Sequence, residues 1–154
     1  MYNHATADYI CPICLSLEGT ENQDTLILQS DIVYRDDLVT VIINSFSLGG
    51  VIGNAIIVPV KHFENIYDMP DEYGHHVFDL SKRVAIAMKK AYGCDGITTM
   101  QCSEPAGDQH AFHYHFHVMQ RYDEDRFNEH ITHKEVADPK MRAVCAEKLR
   151  SNID

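Results

Sequence analysis

The sequence predicts one α+β domain, in which a long helix packs across an antiparallel sheet and a second helix lies near the C-terminus. Short runs rich in β-branched residues are separated by turn residues, which is typical of strands. Residues 71–92 carry apolar side chains at helical spacing, and residues 111–122 alternate between histidines and apolar residues, as in a strand. This order of elements favours helices laid on an antiparallel sheet.

The first half of the chain is expected to contain four short strands. They are predicted at residues 25–29, 32–34, 38–44 and 55–60. Asp36 and Asp37 mark a turn, so the second and third strands are expected to form a hairpin. Pro59 has no N–H group to donate and should lie at the end of its strand. Residues 1–9 are expected to be a loose leader, and the glycine-rich residues 45–53 a loop.

Two helices are predicted in the second half. The long helix spans residues 71–92, with Asp71 as its cap and Gly93 as its stop. The side chains expected on its buried face are Val77, Leu80, Val84, Ala87, Met88 and Ala91. A short helical turn is predicted before it, at residues 64–69. The C-terminal helix should begin at the Asp-Pro pair of residues 138–139. Its apolar face is expected to consist of Met141, Val144, Cys145 and Leu149.

The histidine-rich segment follows a strand predicted at residues 96–101 and a loop at residues 102–108. A strand over residues 111–122 would place one set of side chains on each face, because side chains alternate with period two. One face would carry His113, His115 and His117, and the other Tyr114, Phe116 and Val118. The apolar row is expected to meet the long helix. The imidazole row is expected to face a metal, a phosphate or a proton to be moved.

Composition narrows the function classes. The chain has 154 residues, most consistent with a single domain over residues 1–154 whose residues 123–154 form a C-terminal extension, and its formal charge is −10. That charge argues against wrapping a nucleic-acid backbone, although a nucleotide needs only a few local donors. No apolar run approaches the roughly 20 residues needed to cross a bilayer, so no membrane partner is expected. No signal peptide is recognisable, so a cytoplasmic location with reduced cysteines is expected.

The three histidines are open to three interpretations from the residues alone. They are solvated strand positions, or ligands of one metal as in catalytic zinc enzymes, or a nucleophile with two supporting groups. Side chains on one face of a strand lie roughly 6.5–7 Å apart, and zinc–nitrogen bonds are about 2 Å. Three consecutive ligands therefore fit poorly around one ion. Neutral imidazole is a good nucleophile toward phosphorus, and its ordinary pKa of about 6.5 leaves it mostly neutral at pH 7.

The segment His113-Tyr-His115-Phe-His117-Val-Met resembles the motif of the histidine triad family, in which three histidines alternate with apolar residues. The resemblance extends from about Cys11 to Tyr122. Its further elements are Asn44-Ser-Phe, the glycine-rich loop, Ile57-Val-Pro-Val-Lys-His62, Gln101, Pro105-Ala-Gly107 and Gln109. Together these matches are more specific than three alternating histidines alone.

The resemblance implies a nucleotide hydrolase or nucleotidyl transferase. His115 would attack the α-phosphate of a nucleotide conjugate, such as a dinucleoside polyphosphate, a phosphoramidate or an adenylylated adduct. A covalent nucleotidyl-histidine would form, and water or another acceptor would then take the nucleotidyl group. His117 and Gln109 would support the phosphate, Gln101 would contact the phosphate or leaving group, and Asn44 would bind the ribose hydroxyls. The resemblance also implies a cytoplasmic homodimer whose two sheets join edge to edge.

Two positions depart from the family's pattern. Asn54 stands where a histidine commonly joins the cluster around the triad, and it cannot carry a proton charge. His110 stands where serine or threonine often contacts the leaving group, and it is either a proton donor or a substituted rim residue. Asn54 is the feature that favours an alternative function: a nucleotide-binding sensor or scaffold with the same fold and slow turnover.

The Cys11-Pro-Ile-Cys14 sequence is ambiguous by itself, because it suits half a metal site, a redox pair or chance. The chain has no second pair with this spacing and no thioredoxin-like pattern around it, which leaves a structural site of two cysteines and two histidines. Some histidine triad proteins and the related galactose-1-phosphate uridylyltransferases have such a site. The resemblance implies structural zinc bound by Cys11, Cys14, His62 and His113.

Overall fold

A computed structural model describes residues 2–154, except for the side chain of His130. Its strands are β1 (Ile32–Arg35), β2 (Val39–Ile43), β3 (Phe46–Leu48), β4 (Ala55–Pro59), β5 (Gly96–Gln101), β6 (Phe116–Arg121) and β7 (Lys134–Val136). Its α-helices are α1 (Pro12–Leu17), α2 (Asp71–Tyr92), α3 (Phe127–His130) and α4 (Pro139–Arg150).

Five of the strands form one antiparallel sheet in the order β1-β2-β4-β6-β5. The hairpin of β1 and β2 is confirmed, and β4 ends at Pro59 as its missing N–H requires. The remaining two strands, β3 and β7, pair with each other as a separate small sheet. The predicted α+β architecture, with its antiparallel sheet, long helix and C-terminal helix, is confirmed.

One face of the five-stranded sheet holds the main apolar core. We call it the helical face, because α2 and α4 pack there against side chains such as Ile57, Val118 and Leu149. The side chains of α2 that are buried include Val77, Leu80, Val84, Ala87 and Met88, as their helical spacing predicts. Gly93 ends this helix in the left-handed conformation, with φ of 62°. Asp71 is the first helical residue and Pro70 precedes it as the cap, one position earlier than expected.

The opposite face of the sheet carries α1 and a second apolar cluster. We call it the histidine face, because Ile56 lies directly opposite His117 across β4 and β6. Ile42, Ile56 and Val58 point from the sheet into this cluster, and α1 and the segment after it cover them with Ile13, Leu17 and Ile27. The chain therefore builds two layers on the sheet, one helical and one formed largely by its N-terminal residues.

The strand expected at residues 25–29 does not form. Its backbone and side-chain groups bind locally: the Thr25 N–H donates to the Asn22 carbonyl, and the Leu28 N–H donates to the Asp31 carboxylate at 2.8 Å. A 3₁₀ turn at Gln29–Asp31 follows. The apolar run packs over the histidine face instead of joining a sheet, so its hydrophobicity predicted burial correctly but a strand wrongly.

The helical turn expected at residues 64–69 is also absent, because these residues bind the leader. The Glu64 carboxylate accepts hydrogen bonds from the backbone N–H groups of His4 and Ala5. The Asn65 side chain donates to the Tyr2 carbonyl at 3.2 Å. Residues 2–9 form no helix or strand, but these bonds hold them against the domain.

The histidine segment enters the sheet later than expected. The strand β6 begins at Phe116, and His113 and His115 lie in the irregular stretch before it. The strand β5 ends at Gln101, opposite Phe116, so residues 113–115 have no strand beside them on that side. The Tyr114 N–H instead donates to the Phe63 carbonyl at 2.6 Å. Tyr114 is nevertheless buried in the core of the helical face, as the alternation predicts.

The C-terminal part of the chain departs most from the sequence predictions. Residues 46–48, expected in a loop, form β3, and residues 134–136 form its partner β7. Pro139 and Asp138 begin α4 as predicted, but Met141 and Val144 are half exposed. The buried side chains of α4 are Arg142, Ala146 and Leu149.

A buried ion pair explains why α4 buries a different set of side chains from the predicted one. The Arg142 guanidinium lies 3.2 Å from the Asp31 carboxylate and donates to the Leu26 carbonyl at 2.9 Å. Both charged side chains are almost completely buried, which is rare unless they are paired. No helix among residues 2–154 is long and apolar enough to cross a membrane.

Candidate functional site

A cluster of two cysteines and two histidines lies on the histidine face. Cys11 caps α1 and Cys14 lies in its first turn, so the helix presents both sulfur atoms on the same side. The Nδ1 atom of His113 lies 3.4 Å from each of these sulfur atoms. The Cys14 sulfur is 3.3 Å from Nδ1 of His62. All four ligand atoms lie within 4.8 Å of one another, which brings together the four predicted zinc ligands.

This geometry fits a tetrahedral metal ion. Zinc bonds of about 2.3 Å to sulfur and about 2.0 Å to nitrogen would separate tetrahedral ligands by roughly 3.5 Å. The Nε2 atom of His113 lies 3.0 Å from the Pro59 carbonyl oxygen, which can only accept a hydrogen bond. The proton of His113 is therefore on Nε2, and Nδ1 keeps its lone pair toward the sulfur atoms. A backbone carbonyl that orients a histidine ligand in this way is usual in metal sites.

Burial sets the protonation states of this cluster. Burial, together with the neighbouring Cys11 sulfur, raises the pKa of Cys14 to about 12, so a metal ion would have to displace the proton of this thiol. Burial also lowers the pKa of His113 to about 4, which keeps its imidazole neutral, as a metal ligand must be.

His115 presents a different nitrogen atom from His113. Its Nδ1 atom lies 2.8 Å from the His113 carbonyl oxygen, so Nδ1 carries the proton. The lone pair is consequently on Nε2. The rings of His115 and His117 are 5.0 Å apart and nearly perpendicular. Burial lowers the pKa of both, to about 3 for His117, so the neutral forms predominate at pH 7.

A cavity of about 420 Å³ opens beside these two histidines. Its volume lies within the range of small-molecule sites. Its apolar walls include Ile13, Leu26, Ile27, Phe46, Leu48, Ile56, Met100 and Ile131. Its polar lining includes Asp24, Asn44, Ser45, Asp108, His110, His115, His117 and Lys134. A chamber with both apolar walls and polar groups suits a flat ring joined to a polar, charged part.

Asn44, His115 and His117 meet in this cavity as the sequence predicted. The Asn44 side-chain oxygen accepts a hydrogen bond from the Phe46 N–H at 3.1 Å, which fixes the orientation of the amide. His110 also lines the cavity, and its Nε2 atom lies 2.9 Å from the Asp108 carboxylate.

The two glutamines do not reach the cavity. Gln101 lies opposite Phe116 across β5 and β6, so its side chain leaves the sheet on the helical face rather than the histidine face. It donates to the Cys102 carbonyl at 2.7 Å. Gln109 is buried, and its amide accepts from the Glu104 N–H at 2.7 Å and donates to the Glu64 carbonyl at 2.5 Å. Residues 109–115 are not in a strand, so a period-two alternation does not bring the Gln109 side chain to the face of the histidines.

Asn54 is buried at the start of β4, outside the cavity lining. Its side chain donates to the Val51 carbonyl at 3.1 Å. Within the described part of the chain, the buried Nδ1 atom of His117 has no hydrogen-bond partner. The replacement of histidine by asparagine at residue 54 therefore coincides with an imidazole nitrogen that nothing orients.

Sequence reasoning missed several walls of the cavity. The sequence predicts a strand for Leu26 and Ile27 and a loop for Phe46 and Leu48. It predicts no role for Lys134, because the polar residues of the C-terminal extension carry no periodic signal. The pairing of Leu48 with Lys134 brings the extension to the cavity, and this long-range contact has no local sequence signature.

Comparisons with known proteins agree with this architecture. The family model described as "HIT domain" matches residues 26–124. An uncharacterized HIT-like protein from Borreliella burgdorferi is 32% identical over 99 residues, which cover 62% of this chain and 68% of that protein. An adenosine 5'-monophosphoramidase from Saccharomyces cerevisiae is 33% identical over 72 residues, covering 47% of this chain and 43% of that protein.

Three solved structures share the fold. A Hit-like protein from Bartonella henselae superposes with a TM-score of 0.76 and 24% identity, covering 96% of this chain and 99% of that chain. A zinc-bound histidine triad family protein from Mycobacterium smegmatis superposes with a TM-score of 0.74 and 21% identity, covering 93% of this chain and 92% of that chain. The diadenosine triphosphate hydrolase of Plasmodium falciparum superposes with a TM-score of 0.68 and 12% identity, covering 98% of this chain and 87% of that chain.

Proposed function

Because this chain belongs to the HIT domain family, we propose that it hydrolyses or transfers the nucleotidyl group of a nucleotide conjugate. The reaction takes place at the α-phosphate, and the substrate is a dinucleoside polyphosphate, a phosphoramidate or an adenylylated adduct. Two similar proteins support a nucleotide substrate, since one is an adenosine 5'-monophosphoramidase and another a diadenosine triphosphate hydrolase.

The observation that carries the proposal is the fixed tautomer of His115. Its Nδ1–H group is held by the His113 carbonyl at 2.8 Å, so Nε2 is the nitrogen with a free lone pair. Burial lowers the pKa of His115, which keeps that lone pair unprotonated. A neutral, oriented imidazole at a nucleotide-sized cavity has what a nucleophile toward phosphorus needs.

The proposed reaction has two steps. In the first, Nε2 of His115 forms a bond to the α-phosphorus, and the bond between phosphorus and the leaving group breaks. The leaving group takes the electron pair, and a proton reaches it from solvent water. The His115 ring becomes positively charged, and the His113 carbonyl stabilises it through the Nδ1–H group. In the second step, the oxygen atom of water bonds to phosphorus and a proton of that water passes to solvent. The phosphorus–nitrogen bond breaks, its electron pair returns to Nε2, and His115 regains its neutral form.

The other polar groups of the cavity have supporting roles in this proposal. His117 borders the reacting imidazole, and Asn44 binds the ribose hydroxyls from the cavity wall. Gln109 supports the phosphate by holding the backbone of residues 104–111, through its bonds to Glu104 and Ala111. Gln101 would contact a phosphate only after leaving its hydrogen bonds to Cys102 and Ser103, so we give it the weakest role.

We further propose that Cys11, Cys14, His62 and His113 hold a structural zinc ion. Support comes from the fit of their ligand atoms to a tetrahedron and from the similar zinc-bound protein. Four protein ligands leave no open position, so the ion would cross-link α1 to the sheet rather than activate water. We also infer a cytoplasmic homodimer, in which the edge strand β5 of one sheet pairs with that of a second copy.

The alternative function, a nucleotide sensor or scaffold with slow turnover, is favoured by Asn54. Asn54 cannot carry a proton charge, and among the described residues the buried Nδ1 atom of His117 has no hydrogen-bond partner. Binding without turnover would use the same cavity, so only chemistry distinguishes the two functions.

The decisive experiment is to mix the protein with adenosine 5'-phosphoramidate and quench within one turnover. Intact mass spectrometry should detect a chain that carries one adenylyl group, and AMP should accumulate in solution. The His115→Ala variant should show neither product. The His75→Ala variant, which alters a histidine of α2, is the matched control and should behave like the unaltered chain. Binding of AMP without adduct or turnover would support the sensor instead.

A further inference from the structure

One positively charged side chain reaches the cavity. Among the described residues that line it, Lys134 alone is a lysine or arginine. The walls around it are mostly apolar, and the carboxylates of Asp24 and Asp108 lie at the same cavity. A nucleotide brings at least one negative charge into this chamber. The charge of Lys134 is thus the one permanent cation of the described lining that can offset it.

The position of Lys134 is fixed by its backbone. Lys134 begins β7 and pairs with Leu48 of β3, while Val136 pairs with Phe46. Phe46 and Leu48 are themselves cavity walls. The same two-stranded sheet therefore builds an apolar wall with one strand and delivers the lysine with the other.

The lysine and the triad share one chamber. Lys134, His115 and His117 all belong to the polar lining of the cavity. A phosphate held against the two imidazoles would therefore lie in the same chamber that the lysine borders.

The ammonium group has a partner that a ligand can replace. Its Nζ atom lies 3.6 Å from the Asp108 carboxylate, beyond the usual length of a charge-assisted hydrogen bond. The side chain is 34% exposed and that of Asp108 is 66% exposed, so water screens the pair. Asp108 also has a second partner in His110 at 2.9 Å. A phosphate oxygen can take the lysine without leaving Asp108 unpaired.

We propose that Lys134 binds the phosphate oxygens of the bound nucleotide, as a phosphate-binding residue that the C-terminal extension adds to the cavity. The proposal rests on the proposed function, because it assigns this residue to the same site. Lys134 lies outside residues 26–124, which match the family model. Phosphate recognition in this chain is therefore not confined to the triad and its preceding loop.

Calorimetric titration with AMP and with adenosine separates the phosphate contribution from that of the nucleoside. In Lys134→Gln, the dissociation constant for AMP should rise by roughly tenfold or more, the size of a hydrogen bond to a charged group. That for adenosine should stay unchanged. Lys134→Arg should keep most of the AMP affinity. Lys82→Gln removes the same charge from an exposed position of α2 and should have no effect.

Asp108→Asn provides a check of opposite sign, because it removes the anion that competes for the lysine. Its affinity for AMP should increase, and the increase should shrink when Lys134→Gln is also present. Equal weakening of AMP and adenosine in Lys134→Gln, or no weakening of either, would overturn the inference. Failure of the unaltered chain to bind AMP would overturn the proposed function and this inference together.

Discussion

His113 and His115 are two residues apart, yet the structure gives them opposite surroundings. His113 is fully buried, donates from Nε2 to the Pro59 carbonyl and turns Nδ1 toward two sulfur atoms. His115 donates from Nδ1 to the His113 carbonyl and keeps Nε2 free at a cavity. In both cases a backbone carbonyl fixes the tautomer. Which nitrogen it binds decides whether the ring can hold a metal or attack a phosphate.

The comparison predicts that substitutions in the cysteine–histidine cluster and substitutions at the cavity have separate effects. The largest expected effect is at the cysteine end, where Cys14→Ser should remove the metal. Structural zinc can contribute on the order of 10 kcal/mol in small domains, so the unfolding midpoint should fall by about 10 °C or more. Elemental analysis and thermal unfolding measure both quantities.

Cys145→Ser is the control for that change, because Cys145 is half-buried in α4 and belongs to no metal-binding cluster of the described chain. It should retain about one zinc per chain. Equal metal content in Cys14→Ser and in the unaltered protein would show that the cluster is not the metal site.

The next effect is at the cavity end. His115→Ala should reduce turnover of a nucleotide conjugate by about 10³-fold or more, because it removes the nucleophile. It should keep its zinc and its unfolding midpoint. Metal loss in this variant would instead support a site in which the triad histidines share one ion.

A third prediction concerns the link between the two ends. Pro12 and Ile13 lie between the two cysteines in sequence, and both line the cavity. Removal of the metal by a chelator should loosen this wall, and substrate binding would then have to order it. We expect KM to rise by roughly threefold to tenfold while kcat changes less. Re-addition of zinc should restore KM, and an unchanged KM would show that the two ends are independent.

The smallest effect is in the pH dependence. An ordinary imidazole would be half protonated near pH 6.5. Burial lowers the pKa of His115, so its neutral, nucleophilic form persists as the pH falls below that value. Between pH 8 and 6.5, kcat/KM should therefore fall by less than about twofold. Loss of half the activity at pH 6.5 would mean that the imidazole is not protected by burial.

The sequence was informative where a pattern repeats locally. The spacing of Val77, Leu80 and Val84 predicted the buried face of α2. The two cysteines, together with the resemblance to a known family, predicted the cluster of four residues that could hold a metal ion. The alternation around His115 predicted the two faces even though the strand begins later. These features depend on neighbours along the chain or on a shared motif.

The cavity was less predictable, because its walls come from separate parts of the chain. Leu26 is held by the distant Arg142, and Leu48 by its pairing with Lys134. Gln109 does not reach the cavity, because side chains alternate between the two faces with period two only inside a strand. A buried arginine such as Arg142 contradicts the apolar periodicity of its helix, and only its partner Asp31 explains it.

The small sheet of β3 and β7 separates ligand preference from chemistry. Its residues shape the chamber and, in our inference, contact the phosphate, whereas the imidazole of His115 belongs to the irregular segment before β6 and is held by the His113 carbonyl. Exchange of residues 125–136 between members of this fold would then transplant selectivity while leaving the reaction intact. Such a chimera should cleave a different nucleotide conjugate while still being able to cleave. Members of this fold could therefore come to act on different substrates through changes in the small sheet, with no change in the histidines.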